Sequence, residues 1–210
     1  MTAIWGPLGW MTLHSVALAY PEQPTQTERE LMRSWIELFR DTITCPHCRD
    51  HFTTMLAAYR ASFPDMLASR QTFAMFTFRA HNAVNKRLKK PVYLTLDDCM
   101  NTLKANVKSR SARDYRVSYI NHATRHWKTF QDITGIAALK KLNEMKKIET
   151  EYISLRDTNF EVTLKEDVVV LPQDMLEART ESEPVRPFRV APTVGGGGFR
   201  ITSRGLRLRM

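Results

Sequence analysis

Apolar residues recur at helical spacing through the first half of the chain. Trp10, Leu13, Val16, Ala17 and Tyr20 fall on one face, and Pro21 stops the run. Thr27 predicts a cap for a second helix, in which Leu31, Trp35, Leu38 and Phe39 form a stripe opposite Arg29, Glu30, Arg33 and Glu37. Pro46 suits the first turn of a third helix over about 45–59. Ser69 or Gln71 opens a fourth, with Phe73, Phe76, Phe78, Ala80, Val84 and Leu88 as its apolar positions and Pro91 as its terminator. Thr95 or Asp97 caps a short fifth helix over 98–108. Short loops and almost no strand signal predict an all-α fold, a helix bundle.

The pattern changes after about residue 109. Residues 115–147 remain helical in pattern but are more polar and basic. Residues 160–171 alternate as a strand or hairpin would, with Phe160, Val162 and Leu164 followed by Val168, Val169 and Val170. From about residue 177, Pro184, Pro187, Pro192 and the glycines at 195–198 predict a disordered tail. The expected organisation is a helical domain over 1–108, a basic extension over 109–176 and a basic tail over 177–210.

Composition adds limits. Hydrophobic residues make up 43% and charged residues 25% of the 210, enough for a packed core. No run of about 18 apolar residues occurs, so no transmembrane helix is expected. The N-terminus lacks the basic start and apolar stretch of a secretory signal, which points to a cytosolic or nuclear chain. The net charge of +9 is concentrated in 104–147 and 186–209. That excess predicts either a weak polyanion contact or a solvated basic surface. Three cysteines are too few for a disulfide-stapled scaffold.

Two of them form Cys45-Pro46-His47-Cys48. A cysteine at a helix start meets unpaired N–H groups and the positive end of the helix dipole, and both stabilise a thiolate. The spacing allows a small disulfide that can open and close. Three chemistries fit. A zinc site would use Cys45, Cys48 and His51 with a distant fourth ligand, but no second ligand pair has finger-like spacing. A thioredoxin-like fold would need a strand before the motif, where an amphipathic helix is predicted. A dithiol beside a bound cofactor is the third. A non-enzymatic zinc-binding scaffold is the rival function.

The flanks bear on the choice. Trp10, Leu13, His14 and Ala17 share a helical face. His81 and Asn85 share another, with Asn82 and Lys86 in the neighbouring row. Amides and an imidazole among Phe73, Phe76 and Phe78 need buried partners, and a polar ligand would supply them. The cations that follow would suit a phosphate.

In this order, W-x-x-L-H (10–14), Tyr20-Pro21, C-x-x-C-x-x-H-F (45–52) and H-N-x-V-N-x-x-L-x-K-P (81–91) resemble the Erv/ALR family of FAD-dependent sulfhydryl oxidases. The resemblance covers about residues 5–100, nearly half the chain. It implies a four-helix bundle with a short fifth helix cradling FAD, as a homodimer. It implies that Cys48 lies nearest the flavin ring and that Cys45 is attacked by the incoming thiol. Trp10, His14 and Tyr20 would line the adenine or ring side. His51, His81, Asn82, Val84, Asn85, Arg87, Lys90 and Tyr93 match positions that hold the cofactor. The implied reaction forms disulfides in a partner dithiol, thioredoxin-like or structural, and passes the electrons through FAD to oxygen, giving hydrogen peroxide. No metal is implied.

Two features depart from the family's pattern. Many members carry a second, shuttle cysteine pair, and here only Cys99 remains. Cys99 reads as a small buried hydrophobe. The chain beyond about 109 lies outside the resemblance. Compact forms with unrelated extensions resemble those of large cytoplasmic DNA viruses, which implies the cytoplasm, a virus factory or the virion.

Overall fold

A computed structural model describes residues 2–162, with side chains from Trp5 onward. Chain contacts divide the protein into two units, Met1–Ala178 and Arg179–Met210. The described residues all lie in the first. They form α1 (Thr2–Ala19), α2 (Gln26–Thr42), α3 (Pro46–Ser62), α4 (Arg70–Arg87), α5 (Leu96–Val107), α6 (Ala112–Trp127) and α7 (Ile133–Glu151), then a short 3-10 turn, Ile153–Leu155. No strand occurs among them.

Local chemistry explains most of the helix starts. Ser69 caps α4 and Thr95 caps α5, each accepting from the backbone N–H three residues on while the Thr72 or Asp98 side chain accepts in return. Cys45 caps α3, with Pro46 in its first turn. The expected cap of α2 moves from Thr27 to Thr25, because Thr25-x-x-Glu28 forms the reciprocal pair. Thr27-x-x-Glu30 has the same local pattern. The choice falls on Thr25 because Glu28 is also held by Tyr152 (3.0 Å) and Arg156 (2.8 Å), far along the chain. Helix α1 begins well before Trp10, the predicted start, and carries Pro7 inside it at the loss of one backbone bond.

Helix α1 is buried on all sides from Met11 to its end at Ala19. It lies between α4 and α6, while α2 packs on α7. A helix buried on every face belongs at the centre of a core, and its buried Thr12, His14 and Ser15 each find a hydrogen-bond partner there. That core joins Leu13 and Val16 of α1, and Tyr20 just after it, to Trp35 and Phe39 of α2, Phe52, Leu56 and Tyr59 of α3, and Phe73 and Phe76 of α4. Tyr119, Ile120, Trp127, Leu142 and Met145 of α6 and α7 belong to the same cluster. Phe39 stacks on Tyr119 at 5.1 Å, and Trp127 Nε1 donates to Thr42 O at 3.0 Å. A buried ion pair, Arg116 Nε to Glu149 Oε2 at 2.8 Å, joins α6 to α7. The basic extension thus completes the core of the first half.

The helical stretch expected over 115–147 forms two helices. Asp132 caps α7 by accepting from Gly135 N at 2.8 Å. A Cβ at Gly135 would stand 2.1 Å from Phe130 O, so the turn admits glycine alone. The predicted strand over 160–171 is absent as far as Val162. Phe160 and Val162 instead pack on the α4–α5 cluster, and Asn159 N donates to Leu18 O at 2.9 Å. The rest of that strand, and the predicted tail, lie outside the described residues.

Candidate functional site

The two sulfurs of Cys45 and Cys48 are bonded to each other at the start of α3, with Cα atoms 5.2 Å apart. Cys48 N also points at Cys45 Sγ, 3.3 Å away. A thiolate formed there on reduction meets the N–H groups and the dipole of α3. Cys48 lines a cleft of about 520 Å³, whereas Cys45 is not among its lining residues.

Five helices build that cleft. Helix α1 supplies Trp5, Gly6, Gly9 and Trp10, and the α2–α3 corner supplies Phe39, Ile43, His51 and Phe52. Helix α4 and the segment after it supply His81, Val84, Asn85, Arg87, Lys90 and Tyr93. Leu103 and Asn106 of α5 close the end. Of the residues singled out in the sequence, the fold therefore brings Trp10, Cys48, His51, His81, Val84, Asn85, Arg87, Lys90 and Tyr93 to one wall-to-wall space.

The remaining ones stand behind it. His14 is 1% exposed, and its Nε2 lies 3.0 Å from His81 Nδ1. Its other nitrogen, Nδ1, lies 2.9 Å from Thr77 Oγ1. Asn82 turns away from the cleft and binds Tyr93 by its backbone, in both directions at 2.9 Å. Tyr20 departs furthest from expectation. It is fully buried in the core, its hydroxyl donates to Leu67 O at 3.1 Å, and its ring meets Phe73 edge-on. A hydroxyl at that depth needs a protein acceptor, and it has one.

Electrostatics at the cleft favour neutral imidazoles beside fixed cations. Burial, and then the nearby Lys90, push the His81 pKa down to about 4. Burial and His81 hold His14 well below its usual value. Trp10 and His81 stack at 4.2 Å and 8°, offering flat faces. Arg87 Nε and Trp5 Nε1 are buried without a hydrogen-bond partner. Both residues line the cleft, and a bound polar ligand is what such atoms require. Aromatic faces, amides and two cations around a largely apolar space fit a dinucleotide with its charged diphosphate.

Sequence reasoning missed several lining residues. Trp5, Gly6 and Gly9 were outside the predicted helix, although W-G-P-L-G-W is visible as a compact motif. Phe39, Ile43, Leu103 and Asn106 carry no chemical signal and enter only through packing.

The alternatives for the cysteine pair lose ground on this geometry. Helix α2 precedes the motif in place of the strand a thioredoxin-like fold needs. Among the described residues no group of three or more His, Cys, Asp or Glu side chains could hold a metal ion. His51 Nε2 lies 3.0 Å from His47 Nε2 beside the pair. Cys99 is fully buried in α5, and burial pushes its thiol up to about 12, so it is packing rather than chemistry.

The Erv1/Alr family model matches residues 8–110. The chain is similar to a protein named putative FAD-linked sulfhydryl oxidase 347L of Invertebrate iridescent virus 6, 35% identical over 92 residues, covering 42% of this chain and 83% of the viral one. A similar match, 35% over 88 residues, is to putative FAD-linked sulfhydryl oxidase 096R of Invertebrate iridescent virus 3, with 42% and 58% covered. FAD-linked sulfhydryl oxidase ERV2 of Saccharomyces cerevisiae is 32% identical over 122 residues, with 58% of each chain covered. The chain thus spans little more than half the length of two of these relatives and most of the third. No solved structure matches it. On sequence and site alike, the chain belongs to the Erv1/Alr family.

Proposed function

We propose that the chain is an FAD-dependent sulfhydryl oxidase whose reactive pair is Cys45 and Cys48. The observation that carries this reading is the placement of Cys48 in the wall of a cleft with a dinucleotide's chemistry. Trp10 and His81 would give the cofactor flat faces, and Arg87 and Lys90 would meet its diphosphate. His51, Val84, Asn85 and Tyr93 complete the contacts, while His14 and Asn82 act from behind through His81 and Tyr93.

A substrate thiolate attacks Cys45 Sγ, the Cys45–Cys48 bond breaks, and Cys48 leaves as a thiolate in the first turn of α3, near the positive end of its dipole. A second substrate thiolate attacks the mixed disulfide, releasing the oxidised substrate and leaving both cysteines reduced. FAD held at this cleft would supply a two-electron acceptor for the reduced Cys45–Cys48 pair, with oxygen as the terminal acceptor. The sum is 2 R–SH + O2 → R–S–S–R + H2O2. The partner is a protein dithiol, thioredoxin-like or structural, that reaches Cys45 directly. A homodimer would have to use faces other than those of α1 and α2 that α6 and α7 cover. The viral relatives favour a viral origin; the setting would be the cytoplasm, a virus factory or the virion, and the net charge of +9 would give the basic extension a weak polyanion contact. No helix among the described residues is long and apolar enough to cross a membrane.

Purified full-length protein tests this. Stoichiometric FAD and one hydrogen peroxide per dithiothreitol oxidised are expected. A colourless protein holding zinc in place of flavin would overturn it.

A further inference from the structure

Behind the cleft runs a chain of three side chains whose hydrogens are nearly dictated by their partners. Thr77 Oγ1 lies 2.8 Å from Ala74 O and 2.9 Å from His14 Nδ1. His14 Nε2 lies 3.0 Å from His81 Nδ1. A hydroxyl has one hydrogen. If Thr77 gives it to Ala74 O, Thr77 must accept from His14 Nδ1–H. His14 Nε2 is then bare and accepts from His81 Nδ1–H. His81 is left with a bare Nε2, and His81 lines the cleft. The opposite arrangement turns all of these bonds around and puts Nε2–H at the cleft. It forfeits the Thr77–Ala74 bond, so the first arrangement makes three hydrogen bonds against two, all in a buried site where each counts.

We infer that Thr77 and His14 are positioning residues that make His81 present Nε2 to the cleft as a hydrogen-bond acceptor, selecting a hydroxyl or amino N–H donor on the bound cofactor. The inference rests on the cleft being the FAD site, and it goes further by fixing which half of the hydrogen bond the protein supplies. FAD offers such donors at its ribityl and ribose hydroxyls and at its adenine amino group. A phosphate or carbonyl oxygen, which can only accept, would be disfavoured at this point.

Imidazole 15N NMR on the full-length protein reads the tautomers directly. At neutral pH, His14 should carry its proton on Nδ1, and His81 should carry its proton on Nδ1 with a pyridine-type Nε2. A protonated His81 Nε2 would overturn the inference. Thr77→Val removes the acceptor for His14 Nδ1–H and should move that proton to Nε2, raising the Kd for FAD about five- to tenfold. Thr77→Ser should restore both the wild-type tautomers and the affinity. An unchanged tautomer pattern in Thr77→Val would also overturn it, and the wild-type spectrum decides alone should that variant not fold. FMN and AMP, added separately to protein stripped of cofactor, distinguish the ribityl from the adenosine donors by which one shifts the His81 Nε2 resonance. Absence of flavin from the purified protein, with the tautomers as stated, would fault the cofactor and leave the relay standing.

Discussion

Asn82 grips Tyr93 by the main chain: Tyr93 N donates to Asn82 Oδ1 and Asn82 Nδ2 donates to Tyr93 O, both at 2.9 Å. The segment between them turns on Lys89, whose φ of 54° is left-handed. One buried amide therefore sets where Lys90 and Tyr93 stand at the cleft. Asn82→Ala strands a backbone donor and acceptor and is expected to cost about 2 kcal/mol of stability. FAD affinity should fall with it. Chemical denaturation and fluorescence titration with FAD measure the two effects, and an unchanged affinity would remove Asn82 from the site.

Acid should weaken the fold before the carboxylates protonate. The folded pKa of His81 is about 4, below its unfolded value, and that of His14 is lowered too. The unfolded chain then binds more protons, so this stability is present above about pH 6.5 and is lost as pH falls toward 4. Burial first and then Lys90 lower His81, and His81 in turn acts on His14. Between pH 7.5 and 5, His81 alone should account for about 2 kcal/mol. Urea unfolding of wild type and His81→Gln across that range tests the sign. A wild-type stability that rises on acidification contradicts it.

Arg87 Nε is buried without a hydrogen-bond partner, and Arg87 lines the cleft. A diphosphate would satisfy it with a charge-assisted bond. Arg87→Met should raise the Kd for FAD about tenfold or more, and Arg87→Lys should recover only part, since an ammonium lacks the guanidinium fork. The wild-type affinity should also weaken with salt more steeply than that of the variant.

The family match ends at residue 110, but the core does not. A chain cut there loses Tyr119, Trp127, Leu142 and Met145 from the cluster that holds α1 and α2. Each contributes roughly 1.5–3 kcal/mol, together comparable to the whole stability of a domain. The fragment 1–110 should show no cooperative thermal transition. A sharp melt with bound flavin would make α6 and α7 an accessory.

Much of this was legible in the sequence. Ser69, Thr95 and Cys45 announced their helices because caps are written in adjacent residues. The cleft residues of α4 were legible because His81, Val84 and Asn85 fall near one another at helical spacing. Tyr20 was not to be placed from sequence, because a tyrosine carries the same signal whether its hydroxyl meets a ligand or, as here, Leu67 O. Thr77 was invisible since only the fold puts it beside His14. The start of α1 was lost because Gly6, Pro7 and Gly9 read locally as breakers, whereas the contact with α6 keeps them helical. The joining of α6 and α7 to the core rests on residue pairs such as Phe39–Tyr119, which no local pattern contains.

The dithiol's division of labour is the account's central claim, and oxygen uptake by Cys48→Ser tests it most directly. With dithiothreitol as substrate, the variant should bind FAD as wild type does and consume oxygen at least about a hundredfold more slowly, since the sulfur in the cleft wall is gone. Uptake at the wild-type rate, with flavin bound, would contradict the assignment of Cys48 as the cysteine that faces the cofactor.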